Sequence, residues 1–150
     1  MTNLKNCVKP RERIVRGAFF VQFTAVVIIY DKFRRFKSAS VRVRGVIMKV
    51  EHKLVRSTLY VNLIGELDTG SADYVRDEMD KLISAKKLER FIIDLSALEF
   101  MDSTGIGVLL GRYKKLKAKS VPMYLASPVR CVDKVLTLSG VYDIMPKLNY

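Results

Sequence analysis

The chain has 150 residues, which is the usual size of one domain and too short for two ordinary domains joined by a linker. Hydrophobic residues make up 49% of the sequence and charged residues 28%, a balance that excludes a wholly disordered or collagen-like chain. Its two cysteines, Cys7 and Cys131, are too few for a disulfide-rich secreted scaffold. We therefore expect reduced thiols and a cytoplasmic location.

The net charge of +12 is concentrated near the start of the chain. Residues 1–47 contain 11 Lys and Arg against two acidic residues, whereas the rest of the chain carries an excess of three positive charges. A strongly basic protein is ordinarily expected to bind nucleic acid or an anionic membrane. Here that expectation applies to the first third alone, because the remainder is close to neutral.

Residues 1–47 are interpreted as a basic leader. The apolar run at residues 18–30 follows basic residues as in a signal peptide, but a basic stretch stands where a cleavage site is needed. The run is too short to span a bilayer and lacks the spacing of an amphipathic anchor, while a basic run is commonly a solvated tail. We expect no membrane partner and no direct nucleic-acid partner.

The composition changes abruptly near Met48, which is directly followed by a strand pattern. Met48 is therefore a candidate initiator. We expect residues 1–47 to be disordered or not part of the native protein, and residues 48–150 to form one domain.

Two strands and a helix are predicted in the first half of that domain. Val50, His52 and Leu54 alternate with charged residues, which is typical of a half-buried strand. After a turn at residues 56–57, the run at 59–64 is apolar at both parities and predicts a central strand covered on both faces. A helix follows, with apolar residues at helical spacing: Ala72, Val75, Met79, Leu82 and Ile83.

Two further strand and helix pairs are predicted in the second half. Residues 91–95 read as a buried parallel strand, and a helix follows with apolar residues from Ile106 to Leu116. Residues 122–126 predict the next strand, and Ser127-Pro128 supplies an N-cap and a first-turn proline for a last helix. A final strand is possible at 141–145. The order β-β-α-β-α-β-α predicts an α/β fold with a mixed sheet of four to five strands.

Common catalytic and cofactor motifs are missing from the sequence. The single histidine, His52, has no matching serine or cysteine motif, which argues against a Ser-His-Asp hydrolase. No cluster has the spacing of metal ligands, and neither of the two commonest glycine-rich nucleotide loops occurs. Cys131 lies among apolar neighbours and is expected in the core. We predict no metal and no cofactor.

The segment Asp102-Ser103-Thr104-Gly105 lies between a predicted buried strand and a predicted amphipathic helix. Asp102 or Ser103 can act as an N-cap by accepting the first free amides of the helix. Alternatively, a helix N-terminus favours negative charge, so that a phosphate on a hydroxyl there would be accommodated. The four residues alone do not decide between these interpretations.

A longer string resolves the choice. Residues 100–117, Phe-Met-Asp-Ser-Thr-Gly-Ile-Gly-Val-Leu-Leu-Gly-Arg-Tyr-Lys-Lys-Leu-Lys, closely resemble the signature of bacterial anti-sigma factor antagonists in the STAS domain family. The similarity is greatest to the branch of the sporulation sigma-F system. Residues 63–68 resemble the early loop motif of the family, and residues 127–141 resemble its last helix. The resemblance extends from Met48 to near the C-terminus.

The resemblance implies a role for each residue of the motif. Ser103 is the expected phosphorylated serine, Thr104 the neighbouring hydroxyl, and Asp68 the loop aspartate that contacts the kinase. Together with Asp102 and Gly105, they form the expected partner-binding surface. In this family the unphosphorylated protein binds an anti-sigma factor and so releases the sigma factor. That anti-sigma factor is also the ATP-dependent serine kinase, and a serine phosphatase reverses the reaction, so the antagonist itself is not an enzyme.

Two alternatives remain open at this point. A STAS protein of general stress signalling would use the same switch chemistry. A nucleotide-binding or hydrolytic protein would instead use the helix N-terminus at residues 102–105 as its anion site. The second alternative lacks a general base and a phosphate loop in the sequence.

Overall fold

The computed structural model describes residues 37–43, 46–85 and 87–148. These residues form a six-stranded sheet with three α-helices and one 3₁₀ turn. The strands are β1 (Lys37–Val43), β2 (Val46–Val55), β3 (Thr58–Leu67), β4 (Arg90–Met101), β5 (Met123–Ala126) and β6 (Lys147–Leu148). The helices are α1 (Ala72–Ser84), α2 (Ser103–Ala118) and α3 (Arg130–Leu138), and the 3₁₀ turn is Val141–Asp143.

The strands lie in the sheet in the same order as in the chain. β1, β2 and β3 pair antiparallel, whereas β3, β4, β5 and β6 pair parallel. Every parallel crossover therefore advances in one direction, and right-handed crossovers that all advance the same way place their helices on one face of the sheet. Accordingly, Val75 of α1, Val108 of α2 and Val132 of α3 belong to a single buried cluster.

Burial along β3 shows the difference between the two faces of the sheet. Leu59, Val61 and Leu63 are fully buried on the helix-bearing face, whereas the alternate residues are half-buried. The predicted central position of β3 is confirmed by its pairing with both β2 and β4. Its second face is less covered than the apolar pattern suggested.

The mixed α/β sheet is confirmed, but it has six strands rather than four to five. One additional strand is β1, which pairs with β2 from Lys37 opposite His52 to Val43 opposite Val46. β1 falls inside the segment that the sequence analysis treated as a leader. Residues 1–36 and 44–45 of that segment lie outside the described residues, so the expectation for them stays a prediction.

The C-terminal elements differ from the predicted ones. The last helix begins at Arg130, because the backbone of Ser127 has a φ of 49° and turns the chain before the helix can start. Val141 and Met145, predicted as part of a strand, are both buried and lie four residues apart, with Met145 N donating to Val141 O at 2.9 Å. The 3₁₀ turn itself is closed by the shorter-range bond from Ile144 N to Val141 O at 3.2 Å, and the final strand, β6, follows it.

A buried ion pair joins α1 to α2. Arg112 is 6% exposed, and its Nε lies 3.0 Å from Asp80 Oδ1. Lys115 Nζ lies 2.6 Å from Asp80 Oδ2 at the more exposed end of the group. Asp80 therefore neutralises a buried guanidinium that would otherwise be costly to remove from water.

A second polar cluster, which we name the C-terminal clasp, consists of Asp133, Tyr142 and Lys147. The Tyr142 hydroxyl donates a hydrogen bond to Asp133 Oδ1, and Lys147 Nζ lies 2.8 Å from the same oxygen. The hydrogen bond from Lys147, and to a smaller extent the one from Tyr142, holds the pKa of Asp133 below its usual range. The clasp connects α3, the 3₁₀ turn and β6.

Replacing Asp80 tests the ion pair between the helices. Asp80→Asn removes the counter-charge of a buried guanidinium and is expected to lower the free energy of unfolding by about 3 kcal/mol. Lys115→Ala, the matched control at the exposed end, is expected to cost less than about 1 kcal/mol. Urea unfolding measures both variants, and equal losses would show that Arg112 does not depend on Asp80.

Two truncations test the boundary of the domain. Residues 48–150 are expected to fold alone, because the buried hydrophobic residues found in the described chain all lie at Met48 or beyond. Residues 37–150 are expected to melt at a higher temperature, because they also retain the pairing of β1 with β2. Circular dichroism during heating provides the measurement. A 48–150 fragment without a cooperative transition would refute the predicted boundary.

Candidate functional site

The site is formed where β3 and β4 end side by side. The two strands pair in parallel up to Leu67 opposite Met101, so the residues that follow them emerge at the same edge of the sheet. Asp68 follows β3 and Asp102 follows β4. The amide of Asp102 donates to Leu67 O at 3.3 Å, which fixes the two strand ends to each other.

Asp102 is the N-cap of α2. Its backbone is extended, and its Oδ1 accepts hydrogen bonds from Thr104 N at 2.8 Å and Gly105 N at 3.1 Å. Of the two capping residues that the sequence allowed, the structure selects Asp102. Ser103 is the first residue of the helix, and its side chain is exposed.

The loop after β3 is held by a second carboxylate. Asp68 Oδ1 accepts hydrogen bonds from Gly70 N at 2.9 Å and Ser71 N at 3.1 Å. The buried hydroxyl of Ser71 donates to Glu66 O at 2.8 Å. Asp68 thus shapes its own loop while remaining half-buried at the surface.

Thr69 and Thr104 connect the loop to the helix. Their Oγ1 atoms lie 3.2 Å apart, and either hydroxyl can donate the hydrogen bond. Sequence reasoning singled out Thr104 but missed Thr69 and Ser71. The available signal was positional, because residues that follow neighbouring parallel strands meet at one edge of the sheet.

Gly105 lies where α2 packs against the ends of β3 and β4. A Cβ atom at this position would lie 2.5 Å from Met101 Cγ and 3.0 Å from Leu67 O. Only glycine allows α2 to approach the ends of β3 and β4 this closely. The structure therefore brings together all five residues singled out from the sequence, with Gly105 buried and the other four at least partly accessible.

The electrostatics of the site differ from those of an empty helix N-terminus. The amides of Thr104 and Gly105 are already bonded to the carboxylate of Asp102. A phosphate on Ser103 would therefore lie beside this carboxylate instead of replacing water at free amides. The arrangement presents an accessible hydroxyl in a negatively charged setting.

The described residues supply little for other chemistry. Within residues 37–43, 46–85 and 87–148, no group of three or more His, Cys, Asp and Glu side chains could hold a metal ion. His52 lies on β2, and the Cys131 thiol on α3 donates to Glu99 O at 3.3 Å. Neither residue belongs to the group around Ser103.

Two glycines lie on the same side of α2 as Ser103. Gly107 and Gly111 lie four and eight residues beyond Ser103, so the three positions share one side of the helix. A Cβ atom at either glycine would meet nothing within 4 Å. The packing of the chain therefore does not require glycine at these two positions.

Comparison with family models matches residues 47–149 to the STAS domain. The chain belongs to the STAS domain family. The match begins within β2 and includes both strand ends, α2 and α3. In the part of the chain that the structure describes, no helix is both long and apolar enough to cross a membrane.

Three STAS relatives show the extent of the similarity. The anti-sigma F factor antagonist of Paenibacillus polymyxa is 39% identical over 99 residues, covering 66% of this chain and 85% of that protein. The anti-sigma-B factor antagonist of Bacillus subtilis is 29% identical over 98 residues, covering 65% and 88%.

The third relative is the anti-sigma factor antagonist SpoIIAA, which has been solved in two forms. Its unphosphorylated form has a TM-score of 0.59 at 30% identity, covering 67% of this chain and 88% of that chain. Its phosphorylated form has a TM-score of 0.54 at 29% identity, covering 67% and 91%.

Alanine at two glycines of α2 separates packing from surface roles. Gly107→Ala is expected to stabilise this STAS domain by about 0.5–1 kcal/mol, because alanine favours a helix and the position is open. Gly105→Ala is expected to destabilise it by about 1–3 kcal/mol, because the added methyl collides with β3 and β4. Thermal and urea unfolding distinguish the two signs, and destabilisation by Gly107→Ala would contradict the open surface.

Proposed function

We propose that this chain is an anti-sigma factor antagonist whose unphosphorylated form binds an anti-sigma factor, and that phosphate on Ser103 abolishes the binding. The observation that carries the proposal is the exposed side chain of Ser103 at the start of α2, directly after the cap residue that follows β4. The names of the relatives support the same function, and SpoIIAA has been solved with and without phosphate.

Phosphate would act through charge on a preformed surface. A phosphoserine adds about −1.5 to −2 charges at neutral pH. The carboxylate of Asp102 already holds the two amides that could otherwise neutralise part of this charge. The added charge would therefore repel acidic groups of a partner and would lose its hydration unfavourably on binding. The cap and the helix would stay intact.

The proposed switch would involve two partner proteins. The anti-sigma factor would also be the serine kinase that transfers phosphate from ATP to Ser103, and a serine phosphatase would remove it. Asp68 would contact the kinase without accepting phosphate, on the loop that its own carboxylate shapes. We further propose that residues 48–150 are sufficient for this binding.

The sigma factor would be sigma-F, the factor of sporulation. The higher identity to the anti-sigma F factor antagonist than to the anti-sigma-B factor antagonist, 39% against 29%, favours this choice. The general-stress alternative rests on the second relative. Titration of both anti-sigma factors with the chain distinguishes them, because the cognate factor is expected to bind more tightly.

The chain would serve as a substrate and binding module rather than as a catalyst. Around Ser103, the described side chains that form hydrogen bonds are carboxylates and hydroxyls engaged in local structure. Consumption of ATP should therefore require the partner kinase and stop after one phosphate per chain. Continued ATP turnover by the chain alone would favour the nucleotide-hydrolysing alternative.

Two substitutions at Ser103 test the switch. Ser103→Asp is expected to weaken binding to the anti-sigma F factor of Paenibacillus polymyxa about tenfold or more, because it adds negative charge to the contact. Ser103→Ala is expected to bind like the unmodified chain but to resist inactivation by ATP. Calorimetry in the presence of ADP measures the affinities. Equal affinity for the two variants would refute the charge mechanism.

The control adds the same charge at another exposed serine. Ser84 is the last residue of α1, which runs from the edge that carries the site to the opposite edge of the sheet. Ser84→Asp is expected to leave the affinity unchanged. Neither substitution at Ser103 should lower stability appreciably, because the cap is Asp102, whose own replacement by Ala should cost about 1 kcal/mol.

A further inference from the structure

Ser103 and Thr104 are adjacent hydroxyl residues at the start of α2, yet the structure treats them differently. The side chain of Ser103 is exposed, whereas that of Thr104 is half-buried and its Oγ1 lies 3.2 Å from Thr69 Oγ1. Both are chemically able to accept phosphate. The surrounding chain must therefore determine which of them reacts.

The threonine side chain has a conformational choice that Thr69 can settle. In a helix, threonine divides between two χ1 rotamers, because hydrogen bonding of its hydroxyl can outweigh the preference that the branched side chain otherwise has. A hydrogen bond to Thr69 stabilises the rotamer that turns the Thr104 hydroxyl towards the loop after β3. In that rotamer the oxygen of Thr104 is engaged with Thr69, whereas the hydroxyl of Ser103 is exposed.

We propose that Thr69 is a specificity-determining residue that makes Ser103 the phosphate acceptor by holding the hydroxyl of Thr104 in a hydrogen bond. This inference rests on the proposed function. In the reaction the acceptor oxygen bonds to the γ-phosphorus of ATP, the bond from that phosphorus to ADP breaks, and the hydroxyl proton passes to a base of the kinase. The Thr104 hydroxyl must therefore leave its hydrogen bond with Thr69 before its oxygen can align with the γ-phosphorus.

The test uses full-length chains in which Ser103 has been removed, so that any label must appear elsewhere. Ser103→Ala, Ser103→Ala with Thr69→Val, and Ser103→Ala with Thr69→Ser are incubated with the anti-sigma F factor of Paenibacillus polymyxa and labelled ATP. Mass spectrometry locates the phosphate. Thr69 is exposed, so these variants should fold, and their melting temperatures verify that they do.

Loss of the Thr69 hydroxyl is expected to raise the rate of labelling at Thr104 about 2- to 10-fold, the range that one hydrogen bond of ordinary net strength provides. Thr69→Ser retains the hydroxyl and should restore the slow rate, which a merely structural role of the methyl group would not do. A valine variant that labels Thr104 no faster than Ser103→Ala alone would overturn the inference.

The unsubstituted chain separates this inference from the function on which it rests. Label on its Ser103, together with no gain at Thr104 in the valine variant, would overturn the role of Thr69 and leave the switch standing. No label on the unsubstituted chain would overturn the proposed switch and the inference with it. Label on Thr104 of the unsubstituted chain would overturn the selection of Ser103.

Discussion

The parallel pairing of β3 with β4 is the constraint on which the rest of the site depends. It brings the ends of two strands to one edge of the sheet, so that Asp68 and Asp102 emerge as neighbours although they are far apart in the chain. The close approach of Gly105 to β3 and β4 then fixes the height of α2 over that edge. A shift in this pairing would separate the hydroxyl of Thr69 from that of Thr104, so that the loop and the helix would no longer form one surface.

The polar groups of the site have divided tasks. The two aspartates satisfy backbone amides, which leaves the exposed serine free of any capping duty. A modification of the serine therefore changes the charge of the surface without withdrawing a group that holds the backbone. The reversible switch that we propose for this site would need such a separation, because the domain would have to fold equally well in both states.

Local features were predictable from the sequence, and long-range contacts were not. The helix that starts after Asp102 follows from a capping residue and an apolar spacing, both of which operate within a few residues. The contact of Thr69 with Thr104 spans 35 residues and depends on the strand pairing. β1 was missed because its serines, lysine and arginine carry a weak strand pattern, and its pairing with β2 supplies the missing preference. The backbone turn at Ser127 has no signature in composition.

The C-terminal clasp has a consequence for association between copies of the protein. β6 is a two-residue strand and lies at the end of the sheet, next to β5. A short edge strand bearing a lysine is a poor template for a strand from another chain, and the clasp ties that lysine to α3. Because the pKa of Asp133 is lowered, the clasp persists at neutral and mildly acidic pH and opens only when the pH falls far enough to protonate this carboxylate. Strong acid would then loosen β6 and uncover the edge of β5 to solvent.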